Sequence, residues 1–177
     1  MTNTPPRTLL APTTPAPATC ADTRLVPDGA NLDLVRSAVI CLVNQLRARA
    51  GLSALVESPA LDSTAQGHSF DMVAENYFDT LRPTDSDHLR GVMPAGIAPA
   101  AGLYDVGETI AAGSGSLATP TAIVATLMTS TGSTDNPILD PSFREIGSGI
   151  AVGVPAVLGL GSPGATYTQE FATTDHP

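Results

Sequence analysis

A chain of 177 residues with 42% apolar side chains is long and apolar enough to fold as one domain around a substantial core. Its formal charge is −9 and all eight basic residues are arginine, so its surface repels phosphate backbones and nucleic acid is excluded as a partner. No apolar run approaches the roughly 18 residues of a bilayer span, so no membrane-spanning segment is expected.

Residues 1–19 hold five Pro and six Thr and predict an extended, polyproline-like arm ahead of one domain over residues 20–177. Leu9, Leu10 and Ala11 form the continuous apolar stretch of this arm, far short of the about 7–15 residues in the apolar region of a secretory signal. No signal peptide is read there, and the export route is left open. Asn31 reads as an N-cap, after which Leu32, Val35, Val39, Leu42, Val43 and Leu46 recur at helical spacing until Gly51. Ser58 and Pro59 start a second helix whose apolar face runs through Leu61, Ala65 and Met72. Residues 79–104 carry Pro83, Pro94 and Pro99 and predict a long loop with one short helix near His88 to Met93. "YDVGETIAAG" reads as a strand, and Thr119-Pro120 opens a third helix. "REIGSGIAVGV" and "ATYTQEFAT" read as two closing strands joined by a Gly/Pro-rich loop over residues 153–165. Helices lead, strands close the chain and one helix falls between strands. This is an α+β plan with an antiparallel sheet.

Cys20 ends the arm and Cys41 falls inside the first helical pattern. Two buried free thiols are one reading. The favoured one is a disulfide that pins the arm to the first helix, which would stabilise the fold by roughly 3 kcal/mol and would require an oxidising or extracellular setting. Two cysteines are too few for a structural zinc site by themselves.

Taken in order, several segments resemble the CAP superfamily of cysteine-rich secretory, antigen 5 and pathogenesis-related type, and in particular its secreted actinobacterial-type members. "CLVNQLRARAGLSAL" is similar to the family's opening helix, with Asn44, Arg47 and Gly51 in their usual places, and "LDSTAQGHSFDM" is similar to its second helix. "VGETIAAGSG" is close to its Gly-Glu-Asn-Ile strand. "LMTSTGSTDNPILDPSFREIGSGIAV" resembles the family's cleft-lining segment and the strand that follows, and "YTQEF" its closing strand. The resemblance covers roughly residues 20–172. It implies a three-layer α-β-α sandwich with a mainly antiparallel central sheet. It also implies a cleft that in the family carries two His and one or two acidic residues able to hold a divalent cation. Position by position, the first His is Asp79 here and the second is Ser133, while the acidic residue survives as Glu108. Ser130 stands where many relatives have a second Glu.

That cleft is read as degenerate. Imidazole suits zinc and Ser is a poor substitute. Asp79 and Glu108 are the weak candidates for a hard cation: calcium or magnesium takes about six oxygens, which these two carboxylates and the hydroxyls of Ser130 and Ser133 reach only with water. The expectation is therefore no metal and no cofactor. The bland reading has Glu108 bonded to backbone at a turn and Asp79 capping a loop. A hydrolase needs a base within reach of its nucleophile or water. His68 reads as a satisfied structural residue beside the sheet, His88 as exposed in the Pro-rich loop, and His176 belongs to the tail; no catalytic residue is assigned. "GSGS" (residues 113–116) lacks the Lys of a phosphate loop and reads as a turn.

Two functional classes follow. In one, the domain is a non-catalytic binding or structural module outside the cell or on a particle surface, such as a virion or filament coat, tethered to a protein partner or a second copy by its arm. In the other, it is a secreted CAP protein with cation-dependent hydrolase activity or a lipid or other small-molecule ligand in the cleft. Asp79 and Ser133 favour the first.

Overall fold

The computed structural model describes residues 19–81, 105–130 and 136–173. Asn31 stands at the start of α1 (Leu32–Arg49), but its side chain does not cap the helix. Its Oδ1 accepts from the Asp28 N–H at 2.9 Å and its Nδ2 donates to the Val26 carbonyl at 3.0 Å, so it fixes the incoming loop instead. Gly51, at φ 74°, takes the left-handed conformation in which helices commonly end. A Cys20–Cys41 disulfide ties the segment before α1 to the helix's middle, as expected. The arm through residue 18 and the short helix expected near His88 to Met93 lie outside the described residues.

Two further helices follow, α2 (Pro59–Ala74) and α3 (Pro120–Ser130), each with Pro in its first turn. Four strands, β1 (Val56–Glu57), β2 (Val106–Ser114), β3 (Glu145–Val152) and β4 (Gly164–Ala172), form one sheet in the order β1-β3-β4-β2. β3–β4 and β2–β4 are antiparallel, while β1 joins β3 in parallel over two residues. β1 carries no alternation to read, because two residues are too short for a period; it forms because the chain leaving α1 passes the free edge of β3.

Tyr167 and Phe171 of β4, Ile146 and Ile150 of β3 and Ala111 of β2 share one face of the sheet. There they meet Val35, Val39 and Val43 of α1 and Ile123 and Leu127 of α3. Each large apolar side chain buried in this way contributes about 1.5–3 kcal/mol. α2 covers the opposite face, against β3 and β4. The result is the three-layer α-β-α sandwich.

The close seat of α2 depends on the glycines of "IGSGI". A Cβ on Gly147 would overlap the backbone of Leu61 and Asp62, and one on Gly149 the backbone of Ala65 and Gln66. Two missing side chains thus let helix backbone lie directly on strand backbone. α2 in turn closes the edge of β3 beyond β1. Asp62 Oδ1 accepts from Ser148 N–H at 2.8 Å, and Gln66 both accepts from Ile150 N–H (3.2 Å) and donates to its carbonyl (2.8 Å). An edge that would otherwise present free backbone groups is satisfied by side chains.

Arg47 lies on the same helix face as the apolar row and is fully buried. Its guanidinium donates to the carbonyls of Ser53 (2.8 Å), Ile138 (2.9 Å), Asp140 (2.8 Å) and Phe143 (3.3 Å). Burial is the main influence lowering its pKa, with Arg144 adding to it and Asp140 opposing. It fixes the loop that leads into β3.

Candidate functional site

The register of β2 against β4 sets Glu108 opposite Glu170 on the face that α2 covers. α2 presents Leu61, Ala65, His68, Ser69 and Met72 to that face at helical spacing. Ser69 Oγ lies 2.9 Å from Thr168 Oγ1 and 3.1 Å from the Gly149 carbonyl oxygen, which fixes the rotation of the helix over β3 and β4. One residue earlier, His68 reaches β2, and its Nδ1 stands 2.7 Å from Glu108 Oε1. The side chains of His68 and Glu108 are 7% and 3% exposed, and Glu170 is 1% exposed. One donor atom from each of the three lies within 4.8 Å of the others.

This group is crowded with polar atoms, and the His68–Glu108 contact leaves several of them without a partner among the described residues. His68 Nε2, Glu108 Oε2 and Glu170 Oε1 are buried without a hydrogen bond, while His68 Nδ1 and Glu108 Oε1 face each other at 2.7 Å. Burial raises the Glu108 pKa and the Asp79 charge adds to this, while the His68 imidazole opposes it. Burial, reinforced by the charge of Glu108, pushes the Glu170 pKa up to about 9. The Tyr77 ring flanks the imidazole at 6.1 Å between centroids. Tyr77 Oη donates to Asp71 Oδ2 at 2.7 Å, which anchors that ring to α2.

The residues singled out from sequence separate here. Glu108 is not bonded to backbone at a turn; it sits mid-strand, pressed against His68, because strand alternation turns it inward under α2. Asp79 lies exposed beyond α2, where its Oδ1 accepts from the Leu81 N–H at 3.0 Å, a local loop contact. Ser130 closes α3, but its side chain, Ser133, His88 and His176 lie outside the described residues. His68 is buried beside the sheet as read, its Nδ1 against Glu108 and its Nε2 without a hydrogen-bond partner among the described residues.

Sequence reasoning missed Glu170, and with it the grouping. The signal was present: an acidic residue between Gln169 and Phe171 in a strand that is buried along its whole length, and a His at helical spacing from Ala65 and Met72. Of the cation set implied by the resemblance, Asp79 accepts within its own loop and Ser133 lies outside the described residues. The donors that converge among the described residues are His68, Glu108 and Glu170.

Residues 41–154 match the family model described as the cysteine-rich secretory protein family, CAP. Over 157 residues the chain is 31% identical to the uncharacterized protein YkwD of Bacillus subtilis, a match covering 88% of this chain and 54% of that protein. The chain thus spans about half the length of that curated relative. An extracellular protein containing a SCP domain from Bacillus anthracis has a similar structure, with a TM-score of 0.58 at 22% identity over 81% of this chain and 41% of that one. An outer surface protein from Borrelia burgdorferi is similar at a TM-score of 0.54 and 10% identity, over 77% of this chain and 90% of that one. At these identities the likeness to the two structures is one of fold.

Proposed function

Because this chain belongs to the cysteine-rich secretory protein (CAP) family, we propose that it acts as a non-catalytic binding or structural module outside the cell or on the surface of an assembly. The observation that carries this reading is the burial of Glu108. A general base has to reach substrate or water, but this carboxyl is 3% exposed and turned against His68 inside the sandwich. Asp79 and Ser133, where the resemblance sets imidazoles, bring no nitrogen to the cleft. The Cys20–Cys41 disulfide supports an oxidising, extracellular setting. The Pro/Thr-rich arm supplies the contact to a protein partner or a second copy, since its Pro content lowers the entropy lost when it docks on another surface.

The test is turnover. Purified protein, supplied in turn with zinc, magnesium and manganese, is assayed on simple esters and on unstructured peptides beside Glu108→Gln. The expected result is no hydrolysis that depends on Glu108. Turnover that is lost in a folded Glu108→Gln protein would overturn the reading.

A further inference from the structure

Going beyond the module reading, we propose that the chain holds one divalent first-row transition cation, of the zinc or manganese class, between α2 and the sheet, bound by His68, Glu108 and Glu170. Three independent observations carry this. The register of β2 and β4 sets two carboxyls side by side in the interior, and α2 brings a single imidazole to the same point. Their donor atoms converge within 4.8 Å. Beyond the His68 Nδ1–Glu108 contact, Glu170 Oε1, on a residue 1% exposed, and Nε2 of His68, 7% exposed, are buried without a hydrogen bond among the described residues. Buried polar atoms without partners are rare in folded proteins, and a missing ion is one of the standard reasons for them.

The donor chemistry selects the ion. One neutral nitrogen with two carboxylate oxygens suits zinc or manganese better than calcium, which takes six or more oxygens. Zinc bonded at about 2.1 Å in a tetrahedron holds its ligand atoms about 3.4 Å apart, so the donors, within 4.8 Å of one another, must draw closer to take it. Two positive charges would balance two buried carboxylates that the imidazole alone does not match. Three protein donors leave one coordination position, which a water fills. Burial of all three residues keeps that position away from substrate. The cation therefore clamps α2 to the two central strands and plays no part in turnover.

The probe is zinc chloride, followed by manganese chloride, added to the full chain after EDTA treatment and desalting. Metal content is read by plasma mass spectrometry and stability by calorimetry. Near-stoichiometric zinc retained after a second desalting, with Tm raised by about 5–10 °C, is the expected result. His68→Gln and Glu170→Gln should each weaken binding at least tenfold. Since the wild-type titration decides first, poor folding of a variant leaves the test intact. Zinc retained equally by Glu170→Gln and His68→Gln would place the ion elsewhere, for example on His88 or His176, and would overturn the proposal. Neither metal retained by the wild-type chain, with Tm unmoved, would overturn it as well. Neither outcome bears on the hydrolysis assay, which tests the module reading separately.

Discussion

Glu108 of β2 and Glu170 of β4 are direct cross-strand neighbours inside the sandwich, with one imidazole between them and α2. Like charges opposite each other repel, and burial penalises each further. In the metal-free fold Glu170 is therefore held protonated, its pKa pushed up to about 9. An unfolded Glu titrates near about 4.3. Between these values the folded chain carries a proton that the unfolded chain has lost, so stability falls as pH rises through that window. A single such proton changes the folding equilibrium by up to about tenfold per pH unit. Denaturation midpoints of EDTA-treated protein should decline from about pH 5 to about pH 9, and Glu170→Gln should flatten the decline. A midpoint that climbs over this range would contradict the arrangement.

The seat of α2 gives a paired prediction. Gly149→Ala drives a methyl into the backbone of Ala65 and should cost about 3 kcal/mol or more, because neither backbone can yield. Gly67 lies mid-helix with open space at its Cβ, so Gly67→Ala should stabilise by about 0.5–1 kcal/mol. Urea denaturation of both variants checks the sign and the contrast. Equal effects would mean that the helix does not lie on β3 as described.

Arg47→Met should destabilise by about 3–5 kcal/mol, because it leaves the buried Ile138 carbonyl without its donor and removes the bonds that hold Ser53, Asp140 and Phe143 in place. Arg47→Lys should recover little of this, since a compact ammonium cannot span acceptors that the planar fork reaches together. Thermal melts of the two variants decide the matter. Full rescue by Lys would show that charge, not geometry, matters at this position.

Reduction of Cys20–Cys41 should lower stability by about 2–4 kcal/mol through the released loop. Intact mass should rise by about two hydrogens on reduction, and calorimetry with and without reductant measures the loss.

Much of the fold was legible because its periods are long. The apolar rows of α1 and α2, the Ser-Pro and Thr-Pro helix starts and the three long strands are all local patterns. What stayed hidden is set by contacts distant in sequence. Arg47 looks like a solvated helix residue until the loop over residues 138–143 folds back onto it. β1 is two residues long and exists through its pairing with β3. The candidate site suffered in the same way. Glu108 was found from its motif, but Glu170 joins it through strand register, and His68 joins both through the rotation of α2, which Ser69 and the glycines of β3 fix. Local pattern marks Glu170 as an acidic strand residue and His68 as a residue of the inner helix face, but their meeting is set by register and helix rotation.

The central claim is that Glu108 serves the interior of the sandwich and not an open cleft. Carbodiimide coupling of glycine ethyl ester to carboxyls in the native protein, mapped by peptide mass spectrometry, tests it most directly. Asp33 and Asp79, both exposed, should label readily. Glu108 and Glu170 should remain unmodified until the protein is unfolded, as their burial requires. Native-state labelling of Glu108 at the rate of Asp79 would contradict the account.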